Sequence, residues 1–148
     1  MLFRSFGFPE TGTSVDETFP YSPYGGEYGQ SKAAMERWCL KRAETSGSTR
    51  IVVLNPTSVF GPGGGAFTTL PVRLAQGGQF CWIEGGRGVC NYTYVANVVD
   101  AILAAASVRA AHGRRFIIND GHMSWKAFLS PLVEPVTDRK STRLNSSH

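Results

Sequence analysis

The sequence has few of the features that mark several common classes of protein. It holds three cysteines, and no two of them form a Cys-x-x-Cys pair, so neither a disulfide framework nor a zinc site is indicated. It has no uninterrupted apolar run of about 18 residues, the length that suggests a membrane span. It also lacks the charged start and apolar run of a signal peptide. We therefore expect a cytoplasmic protein with no membrane partner.

An excess of charge of one sign is also lacking once the C-terminal end is set apart. Residues 138–148 have no apolar period, and they match, codon for codon, the in-frame translation of a common sequencing-library adapter. We interpret them as an artefactual tail and residues 1–137 as the protein. Without the tail, twelve Lys and Arg stand against ten Asp and Glu. No basic stripe remains to favour nucleic acid as a partner.

The sequence does contain a Tyr and a Lys four residues apart, Tyr28 and Lys32. The surrounding pattern predicts a helix from about Tyr24 or Glu27 to about Thr45. On a helix this spacing puts both side chains on one face. An ammonium near a phenol, whose unperturbed pKa is about 10, favours the phenolate and lowers that pKa. Such a Tyr can exchange a proton with a substrate hydroxyl or carbonyl near neutral pH.

The faces of that helix are also predicted by its pattern. The residues expected to face inward are Tyr28, Met35, Cys39 and Ala43, while Arg37, Lys41 and Glu44 are expected to face solvent. Glu36, one turn after Lys32, is expected at the surface or in an ion pair rather than in catalysis.

The rest of the chain alternates apolar runs with helical patterns, as α/β proteins do. The β-branched run at 50–55 is typical of a parallel strand buried on both faces. Further strands are expected at 79–83 and 115–120, and helices at 67–77, 97–109 and 125–133. Ligands of doubly wound sheets bind outside the carboxyl ends of the strands. Residues 55–65 should therefore lie at the mouth of a ligand site.

Two of these helices carry more specific expectations. The apolar residues Val98, Ile102, Leu103 and Ala106 should face inward from the Ala-rich helix at 97–109. Ser124 should cap the N-terminus of the last helix, because its hydroxyl can accept a hydrogen bond from an unpaired amide of the first turn.

A glycine motif at residues 61–66 invites a different interpretation. Gly61, Gly63 and Ala66 fit the dinucleotide-binding pattern Gly-x-Gly-x-x-Ala, and Glu84 stands roughly where an acidic ribose partner would be, about 20 residues on. The context does not fit, because the first glycine should follow the strand at once. Pro62 also removes an amide N–H from the turn. We therefore favour a loop of the substrate site over a pyrophosphate cradle.

Four ordered segments resemble one family. They are the Asp-Glu segment at 15–20, the Tyr-Lys helix start at 27–32, the Asn-Pro-Thr-Ser segment at 55–63 and the Tyr-Val-x-Asn segment at 92–101. Together they resemble the extended short-chain dehydrogenase/reductases, specifically the NAD-dependent epimerase/dehydratase branch, over nearly all of residues 5–135. The resemblance implies the C-terminal part of a Rossmann-like doubly wound parallel sheet, plus part of a small substrate domain.

The resemblance also implies roles for particular residues. Tyr28 would be the catalytic acid/base, and both Tyr28 and Lys32 would contact the cofactor, NAD or NADP. The backbone near Pro56 would meet the nicotinamide ring, and Thr57 and Ser58 would face a small-molecule substrate. For the intact protein the resemblance is compatible with a homodimer.

Two further positions bear on the substrate. In the family, the position of Cys90 usually holds an Arg that grips a nucleotide diphosphate, and a thiol cannot replace that bidentate contact. Arg87 could bind substrate instead, or lie solvated between glycines. Glu17 could touch substrate or pack the loop at 8–23, and loop packing is the favoured role. The substrate therefore stays open between a sugar nucleotide and a related small molecule.

The implied function is that of an NAD(P)-dependent epimerase, dehydratase or reductase acting at a hydroxyl-bearing carbon, with Tyr28 and Lys32 in acid/base chemistry and hydride transfer. The family's third catalytic residue, a Ser or Thr, would fall at Met1 or Leu2. The glycine-rich turn for the pyrophosphate would lie upstream of Met1. We therefore expect a fragment that is inactive by itself. A non-catalytic nucleotide-binding or regulatory module of the same fold is the alternative.

Overall fold

Helices and strands alternate along most of the chain in a computed structural model, which describes residues 13–22 and 26–145, with side chains as far as residue 136. The helices are α1 (Gly26–Thr45), α2 (Leu70–Gly77), α3 (Val95–Ser107) and α4 (Trp125–Asn145). The strands are β1 (Val53–Pro56), β2 (Ser58–Phe60), β3 (Val89–Tyr94), β4 (Arg115–Ile118) and β5 (Gly121–Ser124).

One sheet is a parallel pair made of β1 and β4, with Val53 opposite Arg115 and Pro56 opposite Ile118. This confirms a parallel sheet and strands within the runs at 50–55 and 115–120. Strand β1 begins three residues later than its run, and it is half-buried to exposed rather than buried on both faces, because only one neighbouring strand is paired with it among the described residues. Parallel strands require a crossover connection, and here it includes α2 and α3. The carboxyl ends of both strands therefore lie at the same edge of the sheet.

The other sheet has the order β2-β3-β5, with β2 parallel and β5 antiparallel to β3. None of these three strands was predicted from the sequence. The β3 segment was noted only for its motif, and β2 and β5 are short. They have three and four residues, too few to show an alternating pattern, and β5 begins with a glycine, a residue depleted in strands. Their pairing with β3 is decided by tertiary contacts.

An aromatic cluster packs α4 against the second sheet. The Phe128 ring lies 5.3 Å from that of Phe60, 5.9 Å from that of Tyr92 and 5.9 Å from that of Trp125, measured between centroids. Edge-to-face and offset arrangements at these distances are favourable. At the start of α4, the Ala127 amide donates to Ser124 Oγ at 3.1 Å, which confirms the predicted cap.

One predicted strand is absent, and one predicted helix is longer than expected. Residues 79–83 do not form a strand: residues 79–82 have no regular secondary structure, and Ile83 begins a 3-10 turn over Ile83–Gly86. Just beyond the predicted strand, Glu84 and Gly85 have φ of +49° and +66°, values at which the backbone is not extended. Helix α4 was expected to end at residue 133. It contains both Pro131 and Pro135 and continues through residues 138–145. Helical hydrogen bonds are local, so a polar segment can prolong a helix without an apolar face.

The predicted inward faces were partly wrong. In α3, Val98 is half-buried, but Ile102, Leu103 and Ala106 are exposed. In the described residues the adjoining parallel sheet has only two strands, which is too narrow to cover that apolar face.

In α1, Ala43 is buried as predicted and Cys39 is half-buried, whereas Tyr28 and Met35 are exposed. The face of α1 that is buried holds Gly29, Ala33, Glu36 and Ala43. Arg37, Lys41 and Glu44 are exposed as predicted. No helix within the described ranges is long and apolar enough to cross a membrane.

Candidate active site

A cleft of about 490 Å³ lies between α1 and the carboxyl end of β1. Its position agrees with the expectation that ligands bind beyond the carboxyl ends of parallel strands. Five of the six predicted site residues line it, namely Tyr28, Lys32, Pro56, Thr57 and Ser58. The remaining lining residues are Met35, Glu36, Cys39, Val52, Val53, Leu54, Asn55 and Phe67.

Tyr28 and Lys32 share one face of α1, as their spacing predicted. The Lys32 Nζ lies 5.3 Å from the centroid of the Tyr28 ring, close enough for a cation–π interaction. Helix α1 starts only two residues before Tyr28, at Gly26, which has a φ of +62°. The phenol is 51% exposed, so a substrate can reach it from the cleft.

Thr57 lies at the junction of the two sheets. Its backbone amide donates to the Ile118 carbonyl at 3.0 Å, and its hydroxyl lies 2.7 Å from that of buried Thr93. Thr93 donates its only hydroxyl hydrogen to the Ile118 carbonyl at 2.7 Å, so Thr57 must be the donor in the pair. The Thr57 hydroxyl can therefore offer a substrate only an acceptor.

Ser58 follows in the chain, and its hydroxyl differs from that of Thr57 in having no hydrogen-bond partner among the described residues. The residue is 2% exposed and lines the cleft. Buried polar atoms are nearly always paired, and an exception needs an explanation. The atom is closed off from solvent and lies beside the buried Cys90, so the residue contributes to the cleft wall while its hydroxyl faces the interior.

Cys90, also buried, neighbours Ser58. Burial raises the pKa of the Cys90 thiol to about 11, and the Ser58 hydroxyl acts weakly in the opposite direction. The two groups do not meet the distance and angle of a hydrogen bond, which agrees with the unpaired state of Ser58 Oγ. At neutral pH Cys90 is thus a protonated, apolar-like side chain, unsuited to binding an anion.

Arg87 is the predicted site residue that does not line the cleft. It is exposed, and its amide contacts the Glu84 carbonyl at 3.4 Å in the turn that precedes β3. Its role in substrate binding stays a prediction. Glu17 has the packing role favoured by the sequence, because its Oε1 accepts a hydrogen bond from the Ile117 amide at 3.0 Å.

The turn at residues 61–64 is packed against protein. The Gly61 amide donates to Thr68 Oγ1 at 3.1 Å, and a Cβ added to Gly61 would lie 2.7 Å from a methyl carbon of Val95. The glycine therefore allows close approach of α3. This agrees with the prediction that the turn is not a pyrophosphate-binding loop.

Sequence reasoning missed a buried polar group in the wall of the cleft. Glu36 was expected at the surface or in an ion pair; it is in an ion pair but only 3% exposed. Its Oε1 accepts from Arg115 Nη1 at 3.1 Å and from Asn55 Nδ2 at 3.2 Å. The available signal was the spacing, since Glu36 follows Tyr28 and Lys32 at intervals of four.

The cleft brings together side chains of different chemical character. Tyr28 and Lys32 provide a phenol and an ammonium along one wall, and Pro56 begins a polar edge on the other. Thr57 and Ser58 follow Pro56 along that second wall. A parallel α/β sheet with a Tyr-Lys helix beside its strand ends belongs to the Rossmann-like class of dinucleotide-binding folds.

Comparison with known proteins specifies the family. The family model of the NAD dependent epimerase/dehydratases matches residues 6–119. The chain is 31% identical over 146 residues to 3beta-hydroxysteroid-dehydrogenase/decarboxylase isoform 1 from Arabidopsis thaliana, covering 90% of this chain and 33% of that protein. It is 32% identical over 123 residues to 4-hydroxy-2-methyl-3-oxo-4-farnesyl-3,4-dihydroquinoline-1-oxide ketoreductase from Stigmatella aurantiaca, covering 81% of this chain and 36% of that protein.

Among solved structures, dTDP-glucose 4,6-dehydratase from Bacillus anthracis in complex with NAD superposes with a TM-score of 0.69 and 18% identity, over 96% of this chain and 44% of that one. This likeness confirms the Rossmann-like α/β fold. The chain belongs to the NAD dependent epimerase/dehydratase family, which confirms the resemblance of its motifs and agrees with the predicted cofactor, NAD or NADP. It spans about a third of the length of the two curated relatives.

Proposed function

We propose that this chain carries the acid/base half of an NAD(P)-dependent oxidoreductase active site, with Tyr28 as the residue that moves a proton at a substrate oxygen. The observation that carries the proposal is the meeting of Tyr28, Lys32 and Ser58 in one cleft at the carboxyl end of β1. Bound nicotinamide would supply or accept the hydride. Lys32 and the backbone near Pro56 would hold the nicotinamide end of the cofactor.

The proton chemistry follows from the position of Tyr28. Its side chain is exposed and lines the cleft, so as the phenolate it can take a proton from a substrate hydroxyl, and as the phenol it can give one to a carbonyl oxygen. The Lys32 ammonium beside the ring stabilises the negative charge that develops on the phenol in one direction of the reaction. Thr57, which also lines the cleft, would accept a hydrogen bond from the substrate hydroxyl or a neighbouring one.

For the substrate, we propose an alcohol or ketone on a largely apolar skeleton. Apolar side chains of Met35, Cys39, Val52, Leu54 and Phe67 line the cleft, and Cys90 stands where the family usually places a diphosphate-binding Arg. The two curated relatives are named for a hydroxysteroid and a farnesylated quinoline oxide. A sugar nucleotide, with Arg87 as its ligand, is the competing substrate.

The test is NAD(P)-dependent oxidation of a 3β-hydroxysteroid by the full-length protein, followed by absorbance of the reduced nicotinamide, with UDP-glucose as the competing probe. Tyr28→Phe and Lys32→Met should each lower kcat by about 10²-fold or more, the usual contribution of general acid/base catalysis. Lys41→Met, on the exposed side of α1, is the matched control and should match wild type.

Three outcomes would contradict parts of the proposal. Turnover that survives Tyr28→Phe would remove Tyr28 from the chemistry. Turnover of UDP-glucose that depends on Arg87 would return the substrate class to sugar nucleotides. Tight NAD(P) binding without turnover of either probe would favour a non-catalytic nucleotide-binding module.

A further inference from the structure

Helix α1, which carries Tyr28 and Lys32, has little apolar side chain with which to fix its position. The buried face holds Gly29, Ala33 and Ala43, together with Glu36. The large side chains Met35 and Trp38 are more than half exposed. A face of small residues packs closely but resists sliding and rotation weakly, because it offers few interlocking side chains.

Glu36 supplies the directional contacts that this face lacks. Its Oε1 receives hydrogen bonds from Arg115 on β4 and from Asn55 on β1. The Arg115 side chain is itself 13% exposed, so the ion pair is largely shielded from water and less screened than a surface pair. One carboxylate oxygen therefore ties α1 to both strands of the parallel sheet.

Arg115 extends the network to the loop that precedes α1. Its Nε and Nη2 donate to the carbonyls of Glu17 and Phe19, and its guanidinium lies 4.9 Å from the centroid of the Tyr21 ring. Burial, and after it the Glu36 carboxylate, raises the pKa of Tyr21, so that phenol stays neutral beside the carboxylate. Loop, helix and both strands thus meet at Glu36.

The network lies within the walls of the cleft. Asn55 directly precedes Pro56, and Glu36 follows Lys32 by one helical turn; both line the cleft. Asn55 Nδ2 and Glu36 Oε1, 3.2 Å apart, link the wall that bears Tyr28 to the wall that bears Pro56 and Ser58. A shift of α1 along or about its axis would have to break this contact.

We infer that Glu36 is a positioning residue, which holds Tyr28 and Lys32 at their working distance from the Pro56–Ser58 edge by joining α1 to Asn55 and Arg115. The inference rests on the proposed function of Tyr28. Misplacement of a reacting group by about 1 Å can lower a rate about 10²-fold. Glu36 touches neither proton nor hydride in this role.

The test uses the full-length protein with its cofactor and the substrate that it turns over. Glu36→Ala should lower kcat by about 10²-fold and change KM by less than about threefold, because the misplaced groups act in the transition state rather than in ground-state binding. Glu36→Gln should lower kcat less than Glu36→Ala does, because the amide oxygen of the glutamine can still accept a hydrogen bond from Asn55. Glu44→Gln, exposed on the same helix, is the matched control and should match wild type.

A second set of variants covers loss of folding and separates the two proposals. Glu36→Met combined with Arg115→Met removes both charges, leaves neither unpaired, and should fold yet remain slow. In the Tyr28→Phe background, Glu36→Gln should lower kcat by a smaller factor than it does in wild type, because part of its effect passes through Tyr28 and only the part that passes through Lys32 remains.

The positioning role is wrong, and the proposed function stands, if Tyr28→Phe lowers kcat while Glu36→Gln and Glu36→Ala have the kcat of Glu44→Gln. The same conclusion follows if Glu36→Gln lowers kcat by the same factor with and without Tyr28→Phe. A fast, folded Glu36→Met/Arg115→Met variant would also overturn the positioning role. If Tyr28→Phe is as fast as wild type, the proposed function fails first and the role of Glu36 fails with it.

Discussion

The two sheets of this protein are held in place by different kinds of contact. The parallel pair β1–β4 is joined to α1 by the polar contacts of Glu36, Arg115 and Asn55. The sheet β2-β3-β5 is joined to α4 by the aromatic rings that surround Phe128. Hydrogen bonds depend steeply on distance and angle, whereas the hydrophobic effect is non-directional.

The two kinds of contact should affect different properties of the protein. Substitutions in the polar network should change the positions of the cleft residues, and substitutions in the aromatic cluster should change the free energy of unfolding. The cleft lies on the polar side, where small displacements affect chemistry. Three predictions test the comparison outside the catalytic pair.

The largest expected effect is on the aromatic side. Phe128→Ala should lower the free energy of unfolding by about 3–5 kcal/mol, because it removes a buried ring and leaves a cavity among its neighbours. Urea denaturation followed by tryptophan fluorescence measures this. Trp38→Ala is the control, because that ring is 65% exposed on α1, and it should change stability by no more than about 0.5 kcal/mol. Equal losses of unfolding free energy in Phe128→Ala and Trp38→Ala would contradict the role of the aromatic cluster in stability.

A smaller effect is expected where the two sheets meet. Thr93→Val keeps the shape of the side chain but removes the hydroxyl that bonds both Thr57 and the Ile118 carbonyl. The Ile118 carbonyl keeps the Thr57 amide as a donor, but the loss of both hydroxyl hydrogen bonds should lower the free energy of unfolding by about 1–3 kcal/mol. Thr93→Ser, which keeps the hydroxyl, should lower the free energy of unfolding less than Thr93→Val does in the same urea titration. If valine is no worse than serine, the hydroxyl bridge does not couple the sheets.

The smallest effect concerns Cys90 and pH. Its pKa in the fold is about 11, against 9.0 for the free thiol, because of burial. Between these values the folded state keeps a proton that the unfolded state has lost, so the free energy of unfolding falls as pH rises through that window. Urea midpoints from pH 8 to pH 10.5 should therefore fall less steeply in Cys90→Ala than in wild type. Parallel slopes would mean that the thiol is not held in an apolar environment.

Thiol labelling checks the same property at neutral pH. Cys81 is exposed and Cys90 is buried, so a maleimide should modify Cys81 rapidly and Cys90 only after denaturation. Rapid labelling of Cys90 in the folded protein would contradict the burial that raises its pKa.

Much of the cleft could be predicted from local patterns and from the family resemblance. The spacing of Tyr28 and Lys32 put both on one helix face, and the run at 50–55 put Pro56, Thr57 and Ser58 at a strand end. Their grouping in one cleft followed from the rule for parallel sheets. Arg87 was drawn from the same resemblance, but a glycine-rich loop leaves the direction of its side chain undetermined.

Local sequence determined the helix of Tyr28 and Lys32, the cap at Ser124 and the apolar runs that contain β1 and β4, because these depend on hydrogen bonds and periodicities spanning a few residues. The pairing of β1 with β4, with Val53 opposite Arg115, joins distant parts of the chain. Tertiary structure alone decided that Glu36 is buried, that Ser58 lacks a partner and that Ile102 stays exposed. The partner of Glu36, Arg115, lies 79 residues away in the chain. No periodicity reports such a contact, since it exists only once α1 has packed on the sheet.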